Sequence, residues 1–266
     1  MSVQAKYEEL LKLLARPAGL VVAFSAGVDS TLLLKAAVTA NSKVMAVTAV
    51  SALRPARVAD EAKALAGLVG AEHRLLVTDE LSLDGFALNP PERCYICKNN
   101  LCGKLVELAG ALGYEMVAEG SNQDDSREYR PGMRAVKEWG VASPLAAVGL
   151  TKAEIRTLSR QLALPTWDKP SIPCLVTRFP YGTLLTRELL AKVESGENLL
   201  RELGFTDFRL RSHGDLARLE VSSAEFPQAV ALKETIVERL RSIGYQHICL
   251  DLAGLRSGSF DSDFAS

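Results

Sequence analysis

GLVVAFSAGVDSTLLLKAAVTA (19–40) sets an apolar stretch, GLVVAF, against a small polar loop, SAGVDS (25–30), and then an apolar-rich helical segment from about Ser30 to Ala40. Strand, loop and helix in that order form a cradle for phosphate. Consecutive backbone N–H groups at a turn and at a helix N-terminus converge on an anion, and the helix dipole assists. Gly27 lets the backbone approach closely, and Ser25 and Ser30 can donate hydroxyl hydrogen bonds. No Gly-Lys-Ser/Thr pair follows, so this is not the common mononucleotide P-loop. A plain alternative is a serine-rich helix cap after a strand, with no ligand at all.

The surroundings favour the cradle. KVMAVTAVS (43–51), HRLLV (73–77) and EMVAEG (115–120) repeat the strand signal. Between them, Val58, Ala62, Leu65 and Val69 recur at helical spacing after Pro55, and Leu101, Leu105, Leu108 and Leu112 stripe a helix after Pro90-Pro91. Strands alternating with helices predict an α/β fold, a parallel sheet covered on both faces. Helices are expected near 128–139 and 151–163. After about residue 185 the texture changes: a helix over 186–203, two short strands around a Gly-Asp turn in DFRLRSHGDLARLEVS, a helix over 223–243 and a strand over 247–252. The expected domains are therefore 1–185, a small α/β unit at 186–254, and a disordered tail at 255–266.

Asp29 lies inside the cradle, where an unpaired carboxylate would repel phosphate; it suits a Mg²⁺ partner or a helix cap. EGSNQDD (119–125) ends the fourth strand, where open α/β sheets place ligand loops. Asp124 and Asp125 are further metal candidates, and Thr48 and Gly120 join Ser25, Gly27, Asp29 and Ser30 as expected residues of the phosphate site.

Composition narrows the partners. Apolar residues make up 48% and charged residues 24%, an ordinary globular mix, and the net charge of −1 argues against broad binding to nucleic acid. No apolar run approaches the ~20 residues of a membrane span. The N-terminal MSVQAKYEELLKLLA is amphipathic with mixed charges, unlike a secretory signal. Five cysteines, an odd count, point to a reducing compartment, hence the cytoplasm.

Those cysteines carry the second signal. Cys94 and Cys97, in RCYICK, fall in the first turn of a helix about 60° apart, and the helix N-terminus with Arg93 and Lys98 favours thiolate. Such a pair alone leaves a redox couple, a zinc half-site and an iron–sulfur half-site open. Cys174 stands on a proline-stiffened loop, PSIPCLVTRFPYG (170–182), close to Arg178. Three thiolates without an evident fourth ligand fit a closed zinc site poorly and suit a 4Fe–4S cluster with one open iron. Cys102 and Cys249 read as packing residues.

SxGxDS resembles the pyrophosphate loop of the ATP pyrophosphatases, which usually carry glycine where this chain has Ala26. SAGVDS, RCYICK, EGSNQDD, EYRPGMRA (128–135), WDKPSIPCLVTRFPYG (167–182) and FRLRSHGDLARLEV (208–221), in that order, resemble the LarE family over nearly the whole chain. The resemblance implies a PP-loop ATP pyrophosphatase domain with a small C-terminal domain for substrate binding and oligomerisation. It implies ATP- and Mg²⁺-dependent sulfur transfer to pyridinium-3,5-biscarboxylic acid mononucleotide, a step toward the nickel-pincer nucleotide of lactate racemase. Each carboxylate is adenylated with release of pyrophosphate, and sulfur then displaces AMP. In some members the cysteine matching Cys174 gives up its own sulfur and becomes dehydroalanine. Others carry three cysteines, here Cys94, Cys97 and Cys174, that hold a 4Fe–4S cluster bearing an extra sulfide. Arg178, Arg209 and Arg211 would face substrate phosphate or carboxylate, whereas Glu197 and Glu220 read as solvated. The implied partners are a small-molecule substrate and copies of the chain, up to hexamers, with neither nucleic acid nor membrane; the sulfide source stays open. An amide-forming ATP pyrophosphatase, a tRNA thiolase and a non-catalytic nucleotide or redox sensor are the competing expectations. The first gives the cysteines no work, the second lacks an RNA-binding extension, and pyrophosphate release would separate the third from any enzyme.

Overall fold

A computed structural model describes residues 1–127 and 131–256. The expected tail from 257 onward and residues 128–130 of the EYRPGMRA block lie outside the described residues. Contacts divide the chain into two compact units, Met1–Glu80 with Glu92–Ile172, and Leu81–Pro91 with the chain from Pro173 on.

The first unit runs α1 (Val3–Leu14), β1 (Leu20–Ala23), α2 (Val28–Ala40), β2 (Val44–Val50), α3 (Arg57–Val69), β3 (Glu72–Val77), α4 (Arg93–Ala111), β4 (Met116–Ala118), α5 (Gly132–Glu138), α6 (Pro144–Ala147) and α7 (Lys152–Gln161). The four strands pair in parallel in the order β3-β2-β1-β4. Side chains alternate across a strand, and here the alternation feeds two cores. Leu20, Val22, Val44 and Ala46 pack with α1, α2 and α7, while Val21, Met45, Val47 and Val117 pack with α4 and α5. That arrangement buries β1 from both faces, which is why GLVVAF is apolar without interruption. The edge strand beyond β2 is different: β3 leaves Leu75 and Val77 exposed.

The N-terminus of α7 is tied firmly. Thr151 Oγ1 accepts from Glu154 N–H, and the Glu154 carboxylate accepts from Thr151 N–H at 2.9 Å, a reciprocal capping box. Glu154 is also paired with Lys6 of α1 at 2.8 Å. This fixes Lys152, the first residue of the helix.

The second unit holds α8 (Arg187–Glu202), β5 (Phe208–His213), β6 (Leu216–Val221), α9 (Phe226–Ala231), α10 (Lys233–Ser242) and β7 (His247–Leu250). β5 and β6 form the antiparallel hairpin, and β7 joins β6 in parallel. Leu199, Leu200, Phe205, Phe208, Leu210, Ile236 and Leu240 fill its core. The single helix expected over 223–243 is broken into a 3₁₀ turn, α9 and α10. Pro227 explains the first break: it lacks an N–H and sits in the first turn of α9, where none is needed. The segment from Leu81 to Pro91 belongs here because Asn89 binds it to 180–185. Asn89 Nδ2 donates to Pro180 O at 2.7 Å, and Gly182 N–H donates to Asn89 O at 3.1 Å. Among the described residues, no helix is long and apolar enough to cross a membrane.

Candidate active site

In the first unit the loop follows β1 at the C-terminal edge of the sheet. Ala26 adopts φ 56, the left-handed region that glycine occupies without strain, which accounts physically for a glycine at this place in similar loops. The reversal aims several donors at one point. Ser25 N–H lies 3.3 Å, Gly27 N–H 3.2 Å and the Ser25 hydroxyl 3.0 Å from Ser30 Oγ, which itself donates to Gly27 O at 3.3 Å. Thr31 fastens the loop from below, donating to Gly27 O from its hydroxyl at 2.7 Å and its N–H at 3.0 Å. The bonds at Ser30 Oγ are long ones among neutral groups, and a charged phosphate oxygen would form shorter, stronger ones with the same donors.

Gly120 supports the loop from β4. A Cβ there would meet Ser30 N at 3.1 Å and Ser30 Cα at 3.3 Å, backbone that cannot swing aside. Gly120→Ala must therefore displace the first turn of α2. The expected result is a loss of about 1–3 kcal/mol of stability, the usual range for overpacking, and at least ~10-fold weaker ATP binding if one or two phosphate contacts go. Calorimetric titration with ATP and a thermal melt check both; unchanged ATP affinity would separate Gly120 from the nucleotide site.

Beside Gly120, Glu119 is buried under a shell of donors: Lys98 Nζ at 2.9 Å, Ser121 Oγ at 2.9 Å and Ser143 Oγ at 2.6 Å. Burial alone would raise its pKa, but the Lys98 ammonium and these hydrogen bonds outweigh it and hold the carboxyl below the usual range. The charge expected to act on Cys94 and Cys97 is thus shared with Glu119.

Two of the three metal candidates, Asp29 and Asp124, meet around Lys152. Its ammonium pairs with Asp29 Oδ2, and its backbone N–H donates to Asp124 Oδ2 at 2.8 Å. Asp29 Oδ1 is buried and has no hydrogen-bond partner among the described residues. Asp125 instead accepts from Asn122 N–H at 2.9 Å and shapes the turn. Thr48 is buried in the sheet, donating to Phe24 O at 2.8 Å with His73 Nε2 at 2.9 Å. Lys152 escaped the sequence analysis because it reads as an ordinary exposed helix lysine; its place in a capping box after the EGSNQDD loop was the available signal.

Cys94 is exposed in the first turn of α4, and Cys97, three residues on and just past that turn, is half-buried. Gly132 of α5 fits beside them; a Cβ there would sit 3.4 Å from Cys94 O. Cys102 is buried in the α4–α5 core and Cys249 half-buried in β7, and burial raises the pKa of both thiols. Among the described residues, no group of three or more His, Cys, Asp or Glu side chains is placed to hold a metal ion.

In the second unit, half-buried Cys174 opens a 3₁₀ turn, Leu175–Arg178. Two arginines staple that turn. Arg178 is 2% exposed. It binds Glu197 through Nε at 2.7 Å and Nη2 at 3.1 Å, while Nη1 reaches Thr177 Oγ1 at 2.8 Å and the Pro173 and Cys174 carbonyls at 3.3 Å. Arg211 donates to Thr177 O at 2.6 Å and to Glu220 at 3.0 Å. The expectation of solvated Glu197 and Glu220 is corrected: both are buried at 1% exposure. Each neutralises a buried guanidinium, which is what makes a buried carboxylate tolerable. Arg209, two residues from Arg211 on β5, is half-buried. Burial and repulsion from Arg178 and Arg211 push its pKa below the usual arginine value, and its Nη1 donates to Phe208 O at 2.6 Å.

A parallel sheet with a strand–loop–helix anion cradle at its C-terminal edge, carrying a second α/β unit, defines an α/β protein of the PP-loop ATP pyrophosphatase type. No protein-family model matches the chain. It is 41% identical over 263 residues to an uncharacterized protein of Synechocystis sp., covering 97% of this chain and 98% of the relative. It is 37% identical over 239 residues to the pyridinium-3,5-bisthiocarboxylic acid mononucleotide synthase of Lactiplantibacillus plantarum, covering 89% of this chain and 87% of that one. An uncharacterized protein of Methanocaldococcus jannaschii is 31% identical over 177 residues, 66% of this chain and 69% of the relative. The chain belongs to the LarE family.

Proposed function

We propose that the chain is an ATP-dependent sulfur transferase that converts pyridinium-3,5-biscarboxylic acid mononucleotide into its bisthiocarboxylic acid. The observation that carries this is the near full-length likeness to the Lactiplantibacillus plantarum synthase, which spans both units. The geometry supports each half of the chemistry. A carboxylate is a poor electrophile until one oxygen becomes a leaving group. Its oxygen attacks the α-phosphorus of ATP, the bond to the β-phosphate oxygen breaks, and pyrophosphate departs into the Ser25–Ser30 donors. A sulfur anion then adds to the acyl carbon, and AMP leaves with the electron pair of the broken C–O bond. Arg209 offers a cation to the substrate's phosphate or free carboxylate, while Arg178 and Arg211 hold the backbone on which Cys174 stands.

Mg²⁺ fits Asp29, whose Oδ1 lacks a hydrogen-bond partner among the described residues, with Asp124 beside the same lysine; bound there it would neutralise phosphate charge. The three-cysteine pattern of the sequence is what supports a 4Fe–4S cluster; the described residues bring no three such side chains together. Cys94, Cys97 and Cys174 would hold it, and it would supply a replaceable sulfide, leaving the protein intact after turnover. The alternative is Cys174 itself as donor: its sulfur forms the thioester, loss of the Cα proton breaks the Cβ–S bond, and dehydroalanine remains.

The protein purified without oxygen, given ATP, Mg²⁺, the biscarboxylic acid and sulfide, should release pyrophosphate and AMP and form thiocarboxylate only when substrate is present. More than one sulfur transferred per chain, with about four irons bound, supports the cluster. A single turnover with loss of one H₂S from Cys174 supports the donor. Pyrophosphate release with no sulfur product would overturn the transferase.

A further inference from the structure

Lys169 touches the cradle from a segment that leads straight to Cys174. Its ammonium donates to Ala26 O at 3.0 Å and pairs with Glu61 Oε2 at 2.8 Å. Ala26 O and Gly27 N–H are opposite ends of one planar peptide. Holding the carbonyl toward Lys169 therefore holds the N–H toward Ser30 Oγ, the point where the loop's donors converge. A flip of that plane would put an acceptor where a phosphate needs a donor, and the left-handed Ala26 makes the orientation worth guarding. Glu61 keeps the ammonium at its post and is itself held by Arg57 at 2.6 Å. The backbone of the same segment is clamped by α7: Arg156 donates to Trp167 O at 2.8 Å and to Lys169 O at 3.1 Å. From Lys169 the chain reads Lys-Pro-Ser-Ile-Pro-Cys174. That is a strap of at most ~17 Å, stiffened by two prolines whose φ is fixed.

We infer that Lys169 is a positioning residue that locks the Ala26–Gly27 peptide in its phosphate-accepting orientation and couples occupancy of the cradle to the order of the strap bearing Cys174. The inference rests on the proposed binding of ATP pyrophosphate at Ser25–Ser30. Phosphate in the cradle strengthens the pull on that peptide, the peptide's carbonyl holds Lys169, and Lys169 holds the strap. Only a residue bonded to the loop through its side chain and to the strap through its main chain can do this.

The test is ATP titration of the full-length protein and of Lys169→Met and Lys169→Arg, with backbone hydrogen exchange of the 167–175 segment at ATP concentrations saturating each. Lys169→Met should weaken ATP binding at least ~10-fold, the loss of about one charge-assisted hydrogen bond. Its melting temperature and its affinity for the biscarboxylic acid should hold, and Lys169→Arg should recover most of the loss. ATP should slow exchange of 167–175 several-fold in the wild type and leave it unchanged in Lys169→Met. ATP affinity in Lys169→Met within twofold of wild type overturns the lock, and equal slowing in both proteins overturns the coupling. A large fall in melting temperature with no recovery in Lys169→Arg would make the role structural and overturn both. If the wild type binds no ATP, the cradle itself fails and the inference with it, an outcome distinct from the other three.

Discussion

Replacing Glu197 by alanine is expected to lower the stability of the second unit by about 3–5 kcal/mol, the range for removing one partner of a buried ion pair. The reason is what stays behind. Arg178 is 2% exposed, and its charge is balanced by two hydrogen bonds to the Glu197 carboxylate, at 2.7 and 3.1 Å. Neutral carbonyls at 3.3 Å and the Thr177 hydroxyl cannot replace a full negative charge. Arg201 also leans on Glu197, at 3.2 Å, but it is part-exposed and keeps Asn198 Oδ1 at 2.8 Å, so the cost falls on Arg178. Glu197→Gln should do less harm, because an amide oxygen can keep one of the bonds. Replacing both partners with apolar residues, Arg178→Met with Glu197→Leu, should recover much of the loss, since the desolvation of both charges disappears together. The readout can be localised. The chain's two tryptophans, Trp139 and Trp167, both lie in the first unit. The urea transition followed by tryptophan fluorescence should keep its midpoint, while the one followed by far-ultraviolet circular dichroism should split or shift early. A loss below about 1 kcal/mol, the scale of an exposed pair, would mean that Arg178 is not held in its pocket in solution.

The same pair shows where sequence patterns stop being informative. The strand–loop–helix unit was legible because every part of it is local: an apolar strand, a short loop and an apolar helix, consecutive in the chain, the helix starting at Val28 rather than near Ser30. The parallel sheet was legible for a related reason, since burial of a strand on both faces leaves an unbroken apolar run such as GLVVAF. Glu197 and Glu220 looked solvated because a charge on a helix or strand usually faces water. Their burial depends on Arg178 and Arg211, and no spacing rule links Glu197 to an arginine 19 residues earlier on an irregular loop. Gly196 is a partial clue in hindsight, because α8 comes so close to β5 there that a Cβ would run into Leu210. Pro227 was the legible warning against one long helix. Lys152 and Lys169 stayed hidden for the same reason as the glutamates. Each is an ordinary lysine until the fold carries it to Asp29 or to Ala26.

Substituting Cys174 by alanine should lower thiocarboxylate formation by on the order of 10³-fold or more, as when a reacting group is deleted, with little change in ATP affinity. Cys174 contributes backbone to the Arg178 staple, and only its carbonyl accepts there, so alanine leaves those bonds in place. In the proposed mechanism the adenylation half uses the Ser25–Ser30 loop in the first unit and no sulfur. Cys174→Ala should therefore still release pyrophosphate when the biscarboxylic acid is added, and its AMP should appear at the slow rate of adenylate hydrolysis. Loss of pyrophosphate release as well would place Cys174 in carboxylate activation and overturn the division of labour between the units. The variant does not by itself distinguish cluster ligand from donor, because both roles end with its sulfur. Cys94→Ser and Cys97→Ser make that distinction. A sacrificial donor has no use for thiols on α4, so those variants would complete one turnover and leave dehydroalanine at position 174. A cluster needs all three, so each serine variant would lose iron and sulfur transfer together while pyrophosphate release continues.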